Sequence, residues 1–265
     1  MNNSRRFFEK VQENEKKIVT KDSAKSYFLQ HKNTNNHIII LVHGFSACPA
    51  TLKPIGHYLY EKGSDVYGLR VAGHGTSLQD FEQKNWQDWE RSLETIYQEL
   101  RQHYEHVSVI GSSMGALLSL RLAAKYPLKK LVCMGTFLKP QNPWFYSCYL
   151  LSPLAYLWPF SWGKIPNGTI PEHRSGFWYE ELPRKSIINL FRIQQKAKKC
   201  MSQVTIPTLV AHAANDTVAH PDSAHRLLNG LNTIHKKLLW IGNEHVFVID
   251  KDPDIYDAIR YFITD

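Results

Sequence analysis

The chain alternates between short apolar runs and longer amphipathic stretches, and this alternation predicts its elements. Residues 37–42, HIIILV, are apolar and mostly β-branched, the pattern of a strand buried on both faces of a parallel sheet. After His43–Pro49 a helical stretch runs to about Glu61 and stops at Gly63, and DVYGLR (65–70) reads as the next strand. Over residues 86–103, Trp86, Trp89, Leu93, Ile96, Tyr97 and Leu100 recur at three- and four-residue spacings, which predicts an amphipathic helix. Val107–Ile110 reads as a strand, 114–125 as a helix closed by Tyr126-Pro127, and Leu131–Met134 as another buried strand. The pattern resumes after Pro207 with TLVAHA (208–213), a helix near Ser223–Leu228, KKLLW (236–240) and a last helix near Pro253–Phe262. Strand and helix in alternation predict an α/β fold, a mostly parallel central sheet with helices on both faces.

Between about Phe137 and Lys199 the alternation stops and Pro, Trp, Tyr and Phe accumulate without regular periodicity. This divides the chain into a polar N-terminal arm or short helix (1–25), a core in two pieces (26–136 and 200–265), and an inserted cap (137–199). Pro140–Gly163 carries no charge and is long enough to raise a membrane span. Pro143, Pro153 and Pro159 interrupt any such helix, and a single crossing would separate strands that must share one sheet. The expectation is a small cap laying apolar and aromatic surface over one end of the sheet, where it lines a pocket for an apolar acyl group.

Composition changes this picture little. With 265 residues, 43% hydrophobic and 21% charged, the chain has the balance of a soluble globular protein with a sizeable core. Cys48, Cys133, Cys148 and Cys200 show no C-x-x-C or His-paired spacing, so neither a zinc site nor a disulfide framework is expected, and the thiols fit a reducing compartment. Ser4-Arg5-Arg6-Phe7-Phe8 faintly resembles a twin-arginine signal, but VQENEKKIVTKDSAK follows in place of an apolar segment. The expected location is cytoplasmic. The net charge of +8 is dispersed, with small clusters such as Lys196, Lys198, Lys199 and Lys236-Lys237, and no nucleic-acid motif accompanies it. It reads as solvated surface that leaves room for weak attraction to an anionic membrane.

The candidate chemistry lies at Gly111-Ser112-Ser113-Met114-Gly115, a G-x-S-x-G sequence between a strand and a helix. Only Ser113 has glycines at both −2 and +2, so it stands at the apex of the tight turn. A serine hydroxyl needs a base within hydrogen-bond reach, and the base needs a partner that fixes its tautomer. In this architecture the acid and the histidine follow the serine in that order, each just beyond a strand. His245 sits after the last strand; His235 precedes that strand, His212 lies inside one, and His57, His220 and His225 belong to helices. Asp216 follows the strand 208–213, whereas Asp222 suits a helix first turn and Asp250 comes after His245. Backbone N–H groups must face the oxyanion. Met114, after the nucleophile, supplies one; Phe45, in the His43-Gly44-Phe45 loop, supplies the other. His74, in Gly73-His74-Gly75, braces its loop.

HGFSACPATLKPIGHYL, GHGTS, the Trp86–Asp88–Trp89 cluster, GSSMG and the Asp216 and His245 loops together resemble the bacterial carboxylesterase and monoacylglycerol lipase branch of the α/β-hydrolase superfamily. The resemblance covers about residues 37–135 and 205–263. It implies a serine esterase with a small cap and no metal or organic cofactor, acting on short- to medium-chain esters or monoacylglycerols. The expected state is a monomer or homodimer. The resemblance carries the nucleophile onto Ser113, the acid onto Asp216, the base onto His245 and the oxyanion donors onto Phe45 and Met114. Ala47 and Cys48 depart from the family's H-G-F-T-G-S-P, and Ala116 stands where a second glycine is common. Thioester hydrolysis and acyl transfer use the same triad, and a non-catalytic acyl-binding protein on this fold is the reading of another class.

Overall fold

The computed structural model describes residues 3–32, 36–143, 163–167, 178–242, 245 and 252–265. Seven strands form one sheet in the order β1 (Tyr27–Leu29), β3 (Asp65–Leu69), β2 (His37–Val42), β4 (His106–Ser112), β5 (Leu131–Met134), β8 (Thr208–His212) and β9 (Lys236–Trp240). Only β1 is antiparallel to its neighbour; every other pair is parallel. The parallel mixed-order sheet agrees with the expected α/β class. Two short strands, β6 (Lys164–Pro166) and β7 (Glu181–Pro183), pair antiparallel outside this sheet.

Alternate residues of β2 go to opposite faces, and both faces are covered. Ile38, Ile40 and Val42 join a core shared with helices α4 (Trp86–Leu100), α5 (Met114–Ala123), α6 (Arg184–Cys200) and α7 (Asp222–Gly230). Ile39 and Leu41 join a second core with α2 (Lys53–Glu61) and α8 (Pro253–Thr264). Burial on both sides is what the continuous apolar run of 37–42 requires. The predicted strands at 37–42, 131–134 and 236–240 match β2, β5 and β9 residue for residue.

Register places the site. Val42 lies opposite Gly111, Ser112 opposite Met134, and Met134 opposite Ala211. The loops after β2, β4, β5 and β8 therefore leave the sheet side by side at one edge, the end where open parallel sheets bind ligands.

Two stretches show more order than their sequence pattern marks. The end of the stretch 137–199 is regular: α6 is a 17-residue helix packed on α5 and α4. Its buried face mixes Ser186, Asn189 and Gln194 with Ile187, Leu190, Phe191 and Ile193, so no clean apolar stripe marks it in the sequence. Near the N-terminus, α1 (Asn3–Lys16) is tied to the body: Phe8 is buried, with its ring 4.5 Å from Phe28 and 4.7 Å from Tyr67. Buried Glu15 pairs with Arg70 at 3.1 Å and accepts from the N–H and hydroxyl of Ser26. The aromatic stretch 144–162, with Cys148, lies outside the described residues, as do Asp250 and the immediate neighbours of His245.

Candidate active site

Ser113 sits between β4 and α5 with φ 53° and ψ −110°, a backbone conformation that side chains rarely adopt. The turn is tight because both flanking glycines are pressed on backbone. A Cβ on Gly115 would lie 2.1 Å from the Val42 carbonyl oxygen, and one on Gly111 would lie 2.5 Å from the Gly115 carbonyl oxygen. The amide of Ser113 donates to the Met134 carbonyl at 2.8 Å, fixing the turn to the neighbouring strand. Strain of this kind is held by the surrounding contacts and lifts the side chain clear of the sheet.

The hydroxyl meets its partner here. Ser113 Oγ donates to His245 Nε2 at 3.0 Å, and His245 Nδ1 donates to Asp216 Oδ2 at 2.6 Å. Ser113, Asp216 and His245 are thus in one hydrogen-bonded line, although 132 residues separate the ends of the Ser–His contact. Asp216 is buried, and its second oxygen accepts the N–H groups of Val218 (2.8 Å) and Ala219 (2.7 Å). Its two oxygens therefore divide two tasks, one closing the turn and the other holding the imidazole. Burial alone would raise this carboxyl. The His245 imidazole and the two amides outweigh that and hold it below the ordinary carboxylate range. His212 lies behind, its Nε2 donating to the Ala219 carbonyl at 3.0 Å and 3.5 Å from Asp216 Oδ2. Asp222 begins α7 and pairs with Arg226 and Lys139, which accounts for it as a helix residue.

The loop after β2 lies over the serine. A Cβ on Gly44 would come within 3.3 Å of the Ser113 Cβ. His43 is wholly buried; its Nε2 accepts from the Val71 amide at 3.1 Å, so the proton is on Nδ1, which donates to the Gly44 carbonyl at 2.9 Å. Burial pulls this imidazole down to about 4, keeping it neutral in that tautomer. The Gly44–Phe45 peptide is planar and trans, so fixing its carbonyl also fixes the opposed Phe45 N–H. Met114 is the first residue of α5, and its N–H has no acceptor within the helix. The Phe45 ring packs against Phe81 of helix α3 (Leu78–Gln83) at 5.3 Å and Trp89 at 5.9 Å, with buried His74 alongside. His74 donates from Nδ1 to the Ala72 carbonyl, a bond within its own loop.

Sequence reasoning did not find what holds this loop from the other side. Ser46 follows Phe45 at φ 58° and is buried. Its carbonyl accepts from the Tyr179 amide at 3.2 Å, and its hydroxyl oxygen accepts from Asn167 Nδ2 at 3.1 Å. The Tyr179 hydroxyl donates to the Gly73 carbonyl at 2.7 Å and accepts from the Thr76 amide at 3.0 Å. No local pattern marks Asn167 or Tyr179, because each acts on a loop more than 100 residues away.

A pocket opens beside Ser113 and His245. Phe45, Leu52, Phe137, Leu182, Ile187 and Leu190 give it an apolar wall. Leu182 belongs to β7 and Ile187 and Leu190 to α6, so much of the wall comes from the stretch that interrupts the alternating pattern. Among the described lining residues there is no carboxylate, and among the described residues no cluster of His, Cys, Asp and Glu suits a metal ion.

The chain is similar to known proteins. A family model described as serine aminopeptidase, S33, matches residues 33–252. A thermostable monoacylglycerol lipase of Bacillus sp. (strain H-257) is 25% identical over 227 residues, spanning 81% of this chain and 84% of that protein. A carboxylesterase of Bacillus subtilis is 26% identical over 221 residues, spanning 82% and 87%. Among solved structures, one from a study of two metagenome-derived lipolytic enzymes superposes with a TM-score of 0.81 at 20% identity, covering 92% of this chain and 98% of its own. The fold is that of the α/β-hydrolases.

Proposed function

The chain belongs to the family described as serine aminopeptidase, S33, and from that premise we propose that it is a serine carboxylic-ester hydrolase whose nucleophile is Ser113. The observation that carries the assignment is the Ser113 Oγ–His245 Nε2 contact of 3.0 Å at a strained turn. In this reading Ser113 Oγ attacks the ester carbonyl carbon while His245 Nε2 takes its proton. The oxyanion accepts from the Phe45 and Met114 amides. When the tetrahedral species collapses, the C–O bond to the alcohol breaks and His245 returns the proton to the departing oxygen. A water then repeats the sequence on the acyl-enzyme, with His245 as base, and releases the carboxylic acid and free Ser113. Asp216 holds His245 with its proton on Nδ1 and stabilises the imidazolium.

The family description names an aminopeptidase, and amide cleavage needs the same triad. Aminopeptidase specificity requires a group to receive the substrate's ammonium. The apolar wall beside Ser113, without a carboxylate among its described residues, suits an acyl chain better. Short- to medium-chain acyl esters or monoacylglycerols are the substrates this supports, and the two Bacillus relatives are named as a monoacylglycerol lipase and a carboxylesterase. No helix among the described residues is long and apolar enough to cross a membrane. A cytoplasmic setting is supported by Cys48, Cys133 and Cys200, which are buried free thiols.

A fluorophosphonate probe and a chain-length series of nitrophenyl esters, run beside monoacylglycerols and amino-acid nitroanilides, test this reading. Labelling of the wild type but not of Ser113→Ala, with a clear chain-length optimum on esters, is expected. Folded wild type that resists the probe, or that turns over only the nitroanilides, would overturn it.

A further inference from the structure

Phe45 lies between two residues that are held from different parts of the chain. On its N-terminal side the Gly44 carbonyl is fixed by His43. On its C-terminal side Ser46 adopts φ 58°, a conformation that is unfavourable for a non-glycine residue and needs outside support. That support comes from beyond the first half of the chain. Asn167 Nδ2 donates to Ser46 Oγ at 3.1 Å and to the Tyr179 carbonyl at 2.8 Å, and the Tyr179 amide donates to the Ser46 carbonyl. Asn167 itself is fixed by its amide, which donates to the Glu180 carbonyl at 2.8 Å and extends the β6–β7 pairing. Asn167 and Ser46 are both buried, so water offers no ready substitute for their bond.

We propose that Asn167 is a positioning residue for the reaction: by holding Ser46 it sets the direction of the Phe45 N–H toward the oxyanion. The proposal rests on the ester-hydrolase reading above and concerns a residue that touches neither nucleophile nor base. The segment 178–182 that leads into β7 carries Tyr179 and also supplies pocket wall, since Trp178 and Leu182 line the cavity. Acyl binding and oxyanion geometry are thus built on one short segment. An oxyanion donor contributes mainly in the transition state, so a displaced donor lowers kcat and leaves KM nearly unchanged.

The test is a double-mutant cycle on kcat and KM with Ser46→Ala, Asn167→Ala and the pair, using the best nitrophenyl ester. Each single variant is expected to lower kcat about 10- to 100-fold with KM within about threefold, the scale of a misplaced catalytic group. The pair should be no worse than the more impaired single, because both singles already lose the Ser46–Asn167 bond. An aliphatic trifluoromethyl ketone, whose adduct with Ser113 puts an oxyanion in the same place, should lose affinity by the factor lost in kcat/KM. Should Asn167→Ala fail to fold, Ser46→Ala and the similarly sized Asn167→Leu, which has no group to bond Ser46, carry the same comparison. Singles within about twofold of wild-type kcat, losses that multiply in the pair, or unchanged ketone affinity would each overturn the positioning role. If the wild type neither labels nor hydrolyses esters, both this inference and the functional reading fall; if it does both and the variants match it, only this one does.

Discussion

At the scale of single residues, the strain at Ser113 and the tautomer of His245 make separate predictions. Ser113→Ala and Ser113→Gly both remove the nucleophile, but only glycine accepts φ 53° without penalty. Relief of strain outweighs glycine's greater freedom in the unfolded chain, so the glycine variant should be more stable than the alanine one by about 1 kcal/mol. Urea unfolding of the two inactive variants measures this, and the reverse order would show that the turn is unstrained. Asp216→Asn keeps an acceptor for the Val218 and Ala219 amides but presents an NH2 to His245 Nδ1. The imidazole proton then moves to Nε2, which can no longer accept from Ser113. Esterase kcat should fall about 10⁴-fold while the melting temperature changes little, since the fold-closing bonds remain.

At the scale of elements, α1 is an amphipathic helix attached through the Phe8 ring, packed on Phe28 and Tyr67, and through buried Glu15, which pairs with Arg70 and accepts from Ser26. Glu15→Ala would leave the Arg70 guanidinium buried without its carboxylate, a change expected to cost about 3 kcal/mol. Chemical denaturation checks the value; a loss below about 1 kcal/mol would mean that the pair behaves as a surface pair. The elements also differ in how plainly they read from sequence. The strand 37–42 is legible because burial on both faces demands an unbroken apolar run, and 86–100 because half-burial of a helix leaves a 3- and 4-residue rhythm. Helix α6 is hidden because three polar side chains share its buried face, and β1 because three residues carry no period. The clamp at Asn167 was not legible at all, since its meaning comes from a partner 121 positions earlier.

At the scale of the whole molecule, neutral histidines in the interior tie stability to pH. Burial pulls His37 and His43 to about 4 and His74 well below its usual value, while the same groups in the unfolded chain titrate near 6.5. Between these values the unfolded state binds more protons, so stability rises with pH and is lost as pH falls from about 6.5 toward 4. His43 is wholly buried, so its protonation on unfolding contributes to that loss. Asp216, held below the ordinary range, adds a loss of the same sign at still lower pH. Urea unfolding at pH 7 and pH 5 should show markedly lower stability at pH 5, and equal values would count against neutral burial of these imidazoles. Taken alone, the sequence determined the parallel sheet, the serine turn at 111–115, and the order of Ser113, Asp216 and His245 behind their strands. Those features are local: a run of apolar residues, two glycines that must lie against backbone, a residue one step beyond a strand. That α6 forms part of the pocket wall, that His43 fixes the Gly44–Phe45 peptide and that Asn167 reaches Ser46 is visible in the folded chain alone. These depend on side chains meeting across 100 or more residues, and no local pattern records such a meeting until the chain is folded.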